Sequence, residues 1–219
     1  MISKEMVESI GISYPEKFHM NLMEEPFPWF LLSLLFGARI PESIAVRTFY
    51  MFKSEGLLTP ESLIKRGWES LVVLLDSGGY TRYDFKTATK LIEASKNIIS
   101  VGSLNKIHES SSEVDLPNNL RSLAKGIGDV TIGIFLREMI GIWNKAKPLP
   151  TPLVRATASM LAIDPVLLAS ALGVRYGLME SFLVNVGRRC FRSSCRKCIF
   201  PDQRQEYLKE SKNPLLQRR

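Results

Sequence analysis

The sequence predicts an all-α protein. Apolar residues recur at helical spacing along most of the chain, and Pro, Gly and Thr punctuation brackets those runs. No stretch of any length alternates apolar and polar residues as a half-buried strand would, and no repeat of solenoid period occurs. With 219 residues, 45% hydrophobic and 23% charged, the chain has the composition of a globular protein and length for one large domain or two small lobes.

The elements follow in order. Pro26-Phe27-Pro28 stops the chain before an apolar helix over residues 29–36, and Arg39-Ile40-Pro41-Glu42 turns it into a second over residues 42–53. The apolar positions of that second helix, Ile44, Ala45, Phe49 and Phe52, share one face. Thr59-Pro60-Glu61-Ser62 opens a helix with a Thr cap, Pro in the first turn and an acid near the positive end of the helix dipole. A helix over residues 68–75 is broken by Gly78-Gly79. A strong helix over residues 83–99 follows, with Phe85, Ala88, Leu91, Ile92 and Ser95 on one face. Polar residues 100–116 read as loop or short helices. A helix from about Pro117 ends at Gly126-Ile127-Gly128, and another runs from Asp129 to about Trp143. Pro148-Leu149-Pro150-Thr151-Pro152 is an extended, Pro-stiffened stretch, and two more helices are split near Asp164-Pro165.

The net charge is +7, and residues 188–219 carry ten Lys/Arg against three acids, which equals the whole excess. Such a tail suits a polyanion such as nucleic acid, and equally a solvated tail that keeps the chain in solution. No apolar run reaches the roughly 18–20 residues of a membrane span. The start shows no basic stretch leading into an apolar segment, so a cytoplasmic location without membrane contact is expected.

The most informative segment is residues 120–135: a helix, then Gly126-Ile127-Gly128, then a second helix. Two glycines permit a sharp turn, Ile127 between them plugs it onto a core, and the second helix opens with unpaired N–H groups beside the turn. Those groups suit a phosphate oxygen and hold a strand by its backbone without reading sequence. An ordinary helix–turn–helix corner has the same local pattern.

Leu123-Ala124-Lys125-Gly126-Ile127-Gly128-Asp129-Val130-Thr131 resembles the hairpin of the helix-hairpin-helix DNA glycosylase superfamily typified by endonuclease III, with Lys125 where that family has Pro. The likeness extends over roughly residues 25–200. Pro28-Trp29-Phe30-Leu31-Leu32-Ser33 is similar to the family's first core helix. Gly79-Tyr80-Thr81-Arg82-Tyr83 and the basic helix after it are similar to its Gly-aromatic turn. The fold this implies is two helical lobes with a DNA-facing cleft: residues 1–28 with 144–187 packed against a core of 29–143, and a basic, Cys-containing tail, 188–219. The implied function is a monomeric, double-stranded-DNA-binding protein of base excision repair, glycosylase-like or abasic-site-lyase-like. The rivals are a noncatalytic binder of damaged or bent DNA and a helical protein–protein adaptor. Implied DNA contacts are Lys125, Gly126, Ile127, Gly128, Asp129, Thr131, Arg39, Arg82 and Arg155.

The family's chemistry uses a carboxylate and, in strand-cleaving members, a Lys that forms a Schiff base. Here the Lys position is Val130 and the Asp position is Pro150, or Pro148 in a shifted frame; no Asp or Glu occurs in residues 139–163. Substitute amines would be Lys125 and Lys147, and substitute carboxylates Asp129 and Glu138. Each has a plainer reading: Asp129 as N-cap of the second hairpin helix, Glu138 in an ion pair with Arg137, Lys125 on a phosphate, Lys147 in an exposed loop.

Cys190-x4-Cys195-x2-Cys198 holds every cysteine of the chain. In a cytoplasmic protein soft-metal ligation explains such spacing better than a disulfide. A 4Fe–4S cluster with a non-Cys fourth ligand, Asp202 or solvent, is the expectation from the family; zinc, or three thiols without metal, are the alternatives. Trp29, Trp68 and Trp143 read as packing residues, and Tyr80 and Tyr83 as core rather than stacking groups.

Overall fold

The computed structural model describes residues 2–191 and 198–210. All regular structure among them is helical. The chain divides into two compact units, residues 18–147 and residues 1–17 with 148–219. The first boundary falls at 17/18 rather than near 28, so Phe18 and Leu22 join the larger unit's core. The second falls at the Pro-stiffened stretch, where Pro removes donors and resists helix.

The larger unit is built around α3 (Phe27–Phe36), whose residues 27–35 are all buried. A helix apolar on every side belongs at a centre. It lies between α4 (Glu42–Ser54) and α10 (Asp129–Met139), and Trp29 Nε1 donates to the Phe135 carbonyl at 3.0 Å. Beside them α5 (Pro60–Arg66) and α6 (Trp68–Leu75) pack on the long α7 (Asp84–Val101). The Thr59 cap is present. It is a reciprocal box with Ser62, each side chain meeting the other's backbone amide at 3.1 Å.

The Gly78-Gly79 break is subtler than a stop. α6 runs on into a single π-helical turn, Asp76–Tyr80, in which Gly79 adopts φ +104°. Arg47 of α4 holds this turn by donating Nε and Nη2 to the Gly78 carbonyl at 3.1 and 2.6 Å. Tyr80 is fully buried and its hydroxyl donates to the Leu35 carbonyl at 2.7 Å, a core residue as the sequence suggested.

Two expectations for aromatic residues are corrected. Phe85 is 58% exposed, because the buried face of α7 is Thr87, Ala88, Leu91, Ala94, Ser95 and Ile98, offset from the face drawn through Phe85. Trp68 is likewise partly exposed; its ring lies 5.6 Å from that of Phe85 and its Nε1 donates to Thr89 Oγ1. Trp143 is buried, with His108 stacked on it at 4.8 Å. The polar stretch after α7 contains α8 (Leu104–Ser110), capped by Ser103, and α9 (Leu116–Arg121).

The smaller unit gathers α1 (Lys4–Ile10), α11 (Pro152–Met160) and α12 (Pro165–Leu172) against α13 (Tyr176–Cys190), and α14 (Pro201–Glu210) packs on α11. α2 (Tyr14–Lys17) completes its N-terminal segment. Its core is Val7, Val154, Met179, Phe182, Leu183, Val186 and Cys190. The second of the two helices expected here is divided: Gly173, at φ +64°, ends α12 in the left-handed conformation glycine favours, and α13 starts anew. Of the predicted tail, residues 188–190 form the last turn of α13. Among the described residues no single helix is long and apolar enough to cross a membrane.

Candidate nucleic-acid interface

The first helix of the expected hairpin is shorter than the sequence suggested. α9 ends at Arg121, and residues 122–128 form the connection to α10. Leu123, Ala124 and Ile127 anchor it, each less than a tenth exposed, so Ile127 is the plug the pattern implied. Lys125, Gly126, Gly128, Asp129 and Val130 face solvent between and after those anchors.

The two glycines do different work. Gly126 has φ +87°, a conformation that strains any residue with a Cβ. Gly128 has φ −107°, ψ 175°, ordinary extended backbone, and a side chain there would meet nothing within 4 Å. What Gly128 supplies is open approach to the first turn of α10. It is also the N-cap of that helix, which corrects the expectation for Asp129: the carboxylate sits one residue too late to cap. Among the described residues no side chain caps α10, so the first-turn amides keep their hydrogen-bonding capacity.

The connection is held from one side by α7. Asn97 Nδ2 donates to the Leu123 carbonyl at 2.9 Å, and Glu93 Oε2 accepts from the Lys125 amide at 3.2 Å. Lys90, one turn earlier, lies over the turn itself: a methyl group at Gly126 would sit 3.5 Å from Lys90 Cε and 3.9 Å from Nζ. Burial holds the Lys90 ammonium below the usual lysine range. From the other side Arg121 donates Nη1 to Asp129 Oδ1 and Nη2 to Asn118 Oδ1, both at 2.6 Å. Lys90, Glu93, Asn97 and Arg121 were not singled out from the sequence. The i, i+3, i+7 spacing of Lys90, Glu93 and Asn97 on α7 was visible, but it marks a polar face on any amphipathic helix.

The remaining predicted contacts scatter. Thr131 is buried and packs directly on Gly37 of the α3–α4 turn, so its side chain is structural. Arg39, in that same turn, is exposed. Arg82 is exposed with its guanidinium 6.0 Å from the Tyr83 ring centre. Arg155 belongs to the smaller unit, where its Nη1 donates to the Pro150 carbonyl at 2.6 Å.

The substitute catalytic groups fare unevenly. Glu138 has no accessible surface, and Arg137 Nε lies 3.9 Å from its Oε1; the pair is buried rather than a surface ion pair. In this conformation the carboxylate is shielded from solvent. Asp129 is engaged by Arg121, and Lys147 pairs with Glu113 at 3.3 Å. Lys125 is exposed. Val130, at the family's Lys position, is 52% exposed. Pro148 and Pro150 line an open groove of about 430 Å³ in the smaller unit with Arg155, Ser159, Asp164 and Tyr176.

Cys190 and Cys198 stand sulfur against sulfur, with Cα atoms 4.6 Å apart, so the structure pairs the two thiols that the sequence assigned to a metal. Cys195 lies outside the described residues. Among the described residues no group of three or more His, Cys, Asp and Glu gathers to hold a metal ion. Asp202 sits exposed in the first turn of α14. Compared with models of known protein families, with curated proteins and with solved structures, the chain matches none.

Proposed function

We propose that this chain binds duplex DNA by its phosphate backbone through the α9–α10 connection, as a glycosylase-like protein of base excision repair that does not cut by the usual Lys and Asp. One observation carries the reading. The exposed Gly126–Gly128 turn opens onto an uncapped helix start while its neighbours are pinned by α7 and by Arg121. A rigid turn with free amides and adjacent cations is suited to one strand of any sequence. The noncatalytic form is favoured over a substitute catalyst by the burial of Glu138, the pairing of Asp129 and Lys147, and the Val at position 130.

The test is duplex binding as a function of salt, for the wild-type chain and Gly128→Leu. A Cβ at this position meets no neighbour and the backbone is not unusual, so the fold is expected to persist. Affinity should fall at least about tenfold, because Leu occupies the approach of the phosphate. A folded Gly128→Leu protein that binds duplex as well as wild type sinks the reading. Damaged-base duplexes and borohydride trapping run alongside; a nicked strand or trapped adduct would instead make the chain a catalyst.

A further inference from the structure

We infer that Lys90, on α7, is the cation that neutralises the strand phosphate at the Gly126–Gly128 turn, a role that rests on the reading of this turn as the DNA contact. Three observations place it there. The first is position: Nζ lies 3.9 Å from where a Gly126 side chain would begin, so the ammonium reaches the turn's backbone from a different helix. The second is want of a partner. Among the described residues no hydrogen bond or ion pair reaches Lys90; the neighbouring acid on its own helix, Glu93, is turned to the Lys125 amide. The third is burial. The side chain is only partly exposed, and its charge is disfavoured by lost hydration with nothing to offset it.

Such an arrangement is costly in the free protein and sensible in a complex. An ammonium is a compact charge without strict directional needs, so it accepts a phosphodiester oxygen arriving beside the turn. The surroundings agree in sign: Lys90, Arg121 and Lys125 stand against Glu93 and Asp129, and Arg121 already engages Asp129. The rival account is that the aliphatic stem of Lys90 merely covers apolar surface while its head reaches water. That account is separable, because methionine keeps the stem and loses the charge.

The experiment compares wild type, Lys90→Met and Lys90→Arg in duplex binding across a salt series, with thermal melting of each. Lys90→Met is expected to weaken binding about fivefold at low salt. It should also lower the slope of log affinity against log salt by about 0.9, one phosphate contact. Lys90→Arg should restore the slope, and neither variant should melt earlier than wild type. A folded Lys90→Met protein with wild-type affinity and slope overturns the inference. If Gly128→Leu still abolishes binding in that case, the turn remains the DNA contact and only the role of Lys90 falls. A wild-type chain that binds no duplex removes both.

Discussion

Arg121 Nη1 donates to Asp129 Oδ1 at 2.6 Å, tying the last residue of α9 to the first of α10 across the exposed turn. The Asp129 side chain is 85% exposed, so the pair adds little to stability and acts mainly on local charge. Asp129→Asn is expected to change unfolding free energy by less than about 1 kcal/mol. It should tighten duplex binding about two- to fivefold at low salt, since it removes an anion beside the phosphate and frees Arg121. Denaturant titration and salt-dependent binding check the two halves. Weaker binding by a folded variant would show that Asp129 itself contacts the ligand.

Gly37 and Thr131 are the close approach that sets α10 against the α3–α4 turn. A Cβ at residue 37 would collide with Thr131 Oγ1, and Thr131 is almost fully buried. Gly37→Ala is expected to destabilise by about 1–3 kcal/mol, the usual cost of overpacking. Thr131→Ala should recover part of that loss in the double variant. Additive losses would mean that the two positions do not share the strain.

Tyr80 is buried with its hydroxyl on the Leu35 carbonyl, and burial holds its proton well above the usual tyrosine range. The Leu35 carbonyl also accepts from the Ala38 amide at 3.2 Å, so Tyr80→Phe leaves it served and should cost only about 1 kcal/mol. The native state keeps the phenolic proton that the unfolded chain releases near 10.0. Wild-type stability should therefore fall as pH rises past that value, and the fall should be shallower in Tyr80→Phe. Equal slopes in the two proteins would refute the assignment.

Lys90 gives the opposite sign. Its folded value lies below the ordinary 10.5, so the unfolded chain holds the proton more tightly and stability rises with pH between the two values. Glu93, on the same helix, and Lys125, in the turn, are the nearby charged residues. Lys90→Met should abolish this rise and leave stability at neutral pH unchanged or higher, by up to about 1 kcal/mol. Chemical denaturation at a series of alkaline pH values measures it, best in a Tyr80→Phe background that removes the competing slope.

Much of the helical layout was legible in the chain because the signals are local. Thr59-Pro60 and the apolar run of α3 act through neighbours within a turn or two, and they form the structures those neighbours dictate. Asp129 shows the limit even locally: an acid one residue past the cap position looks like a cap in sequence, and only the dihedrals of Gly128 assign that role. Phe85 shows another, since a helix of this length offers two apolar faces offset by a residue, and the packing of α5 and α6 chose between them.

The sequence alone determined that this is a helical chain with a Gly-Ile-Gly turn before a helix start, since dihedral preference, capping and periodicity are properties of a few adjacent residues. Which charges surround that turn was decided only by tertiary structure. Asn97 and Glu93 reach partners 26 and 32 positions away in the chain, and Glu138 was sealed from solvent by packing. Meetings between distant segments depend on how whole helix faces bury one another, and no spacing within a single helix encodes them.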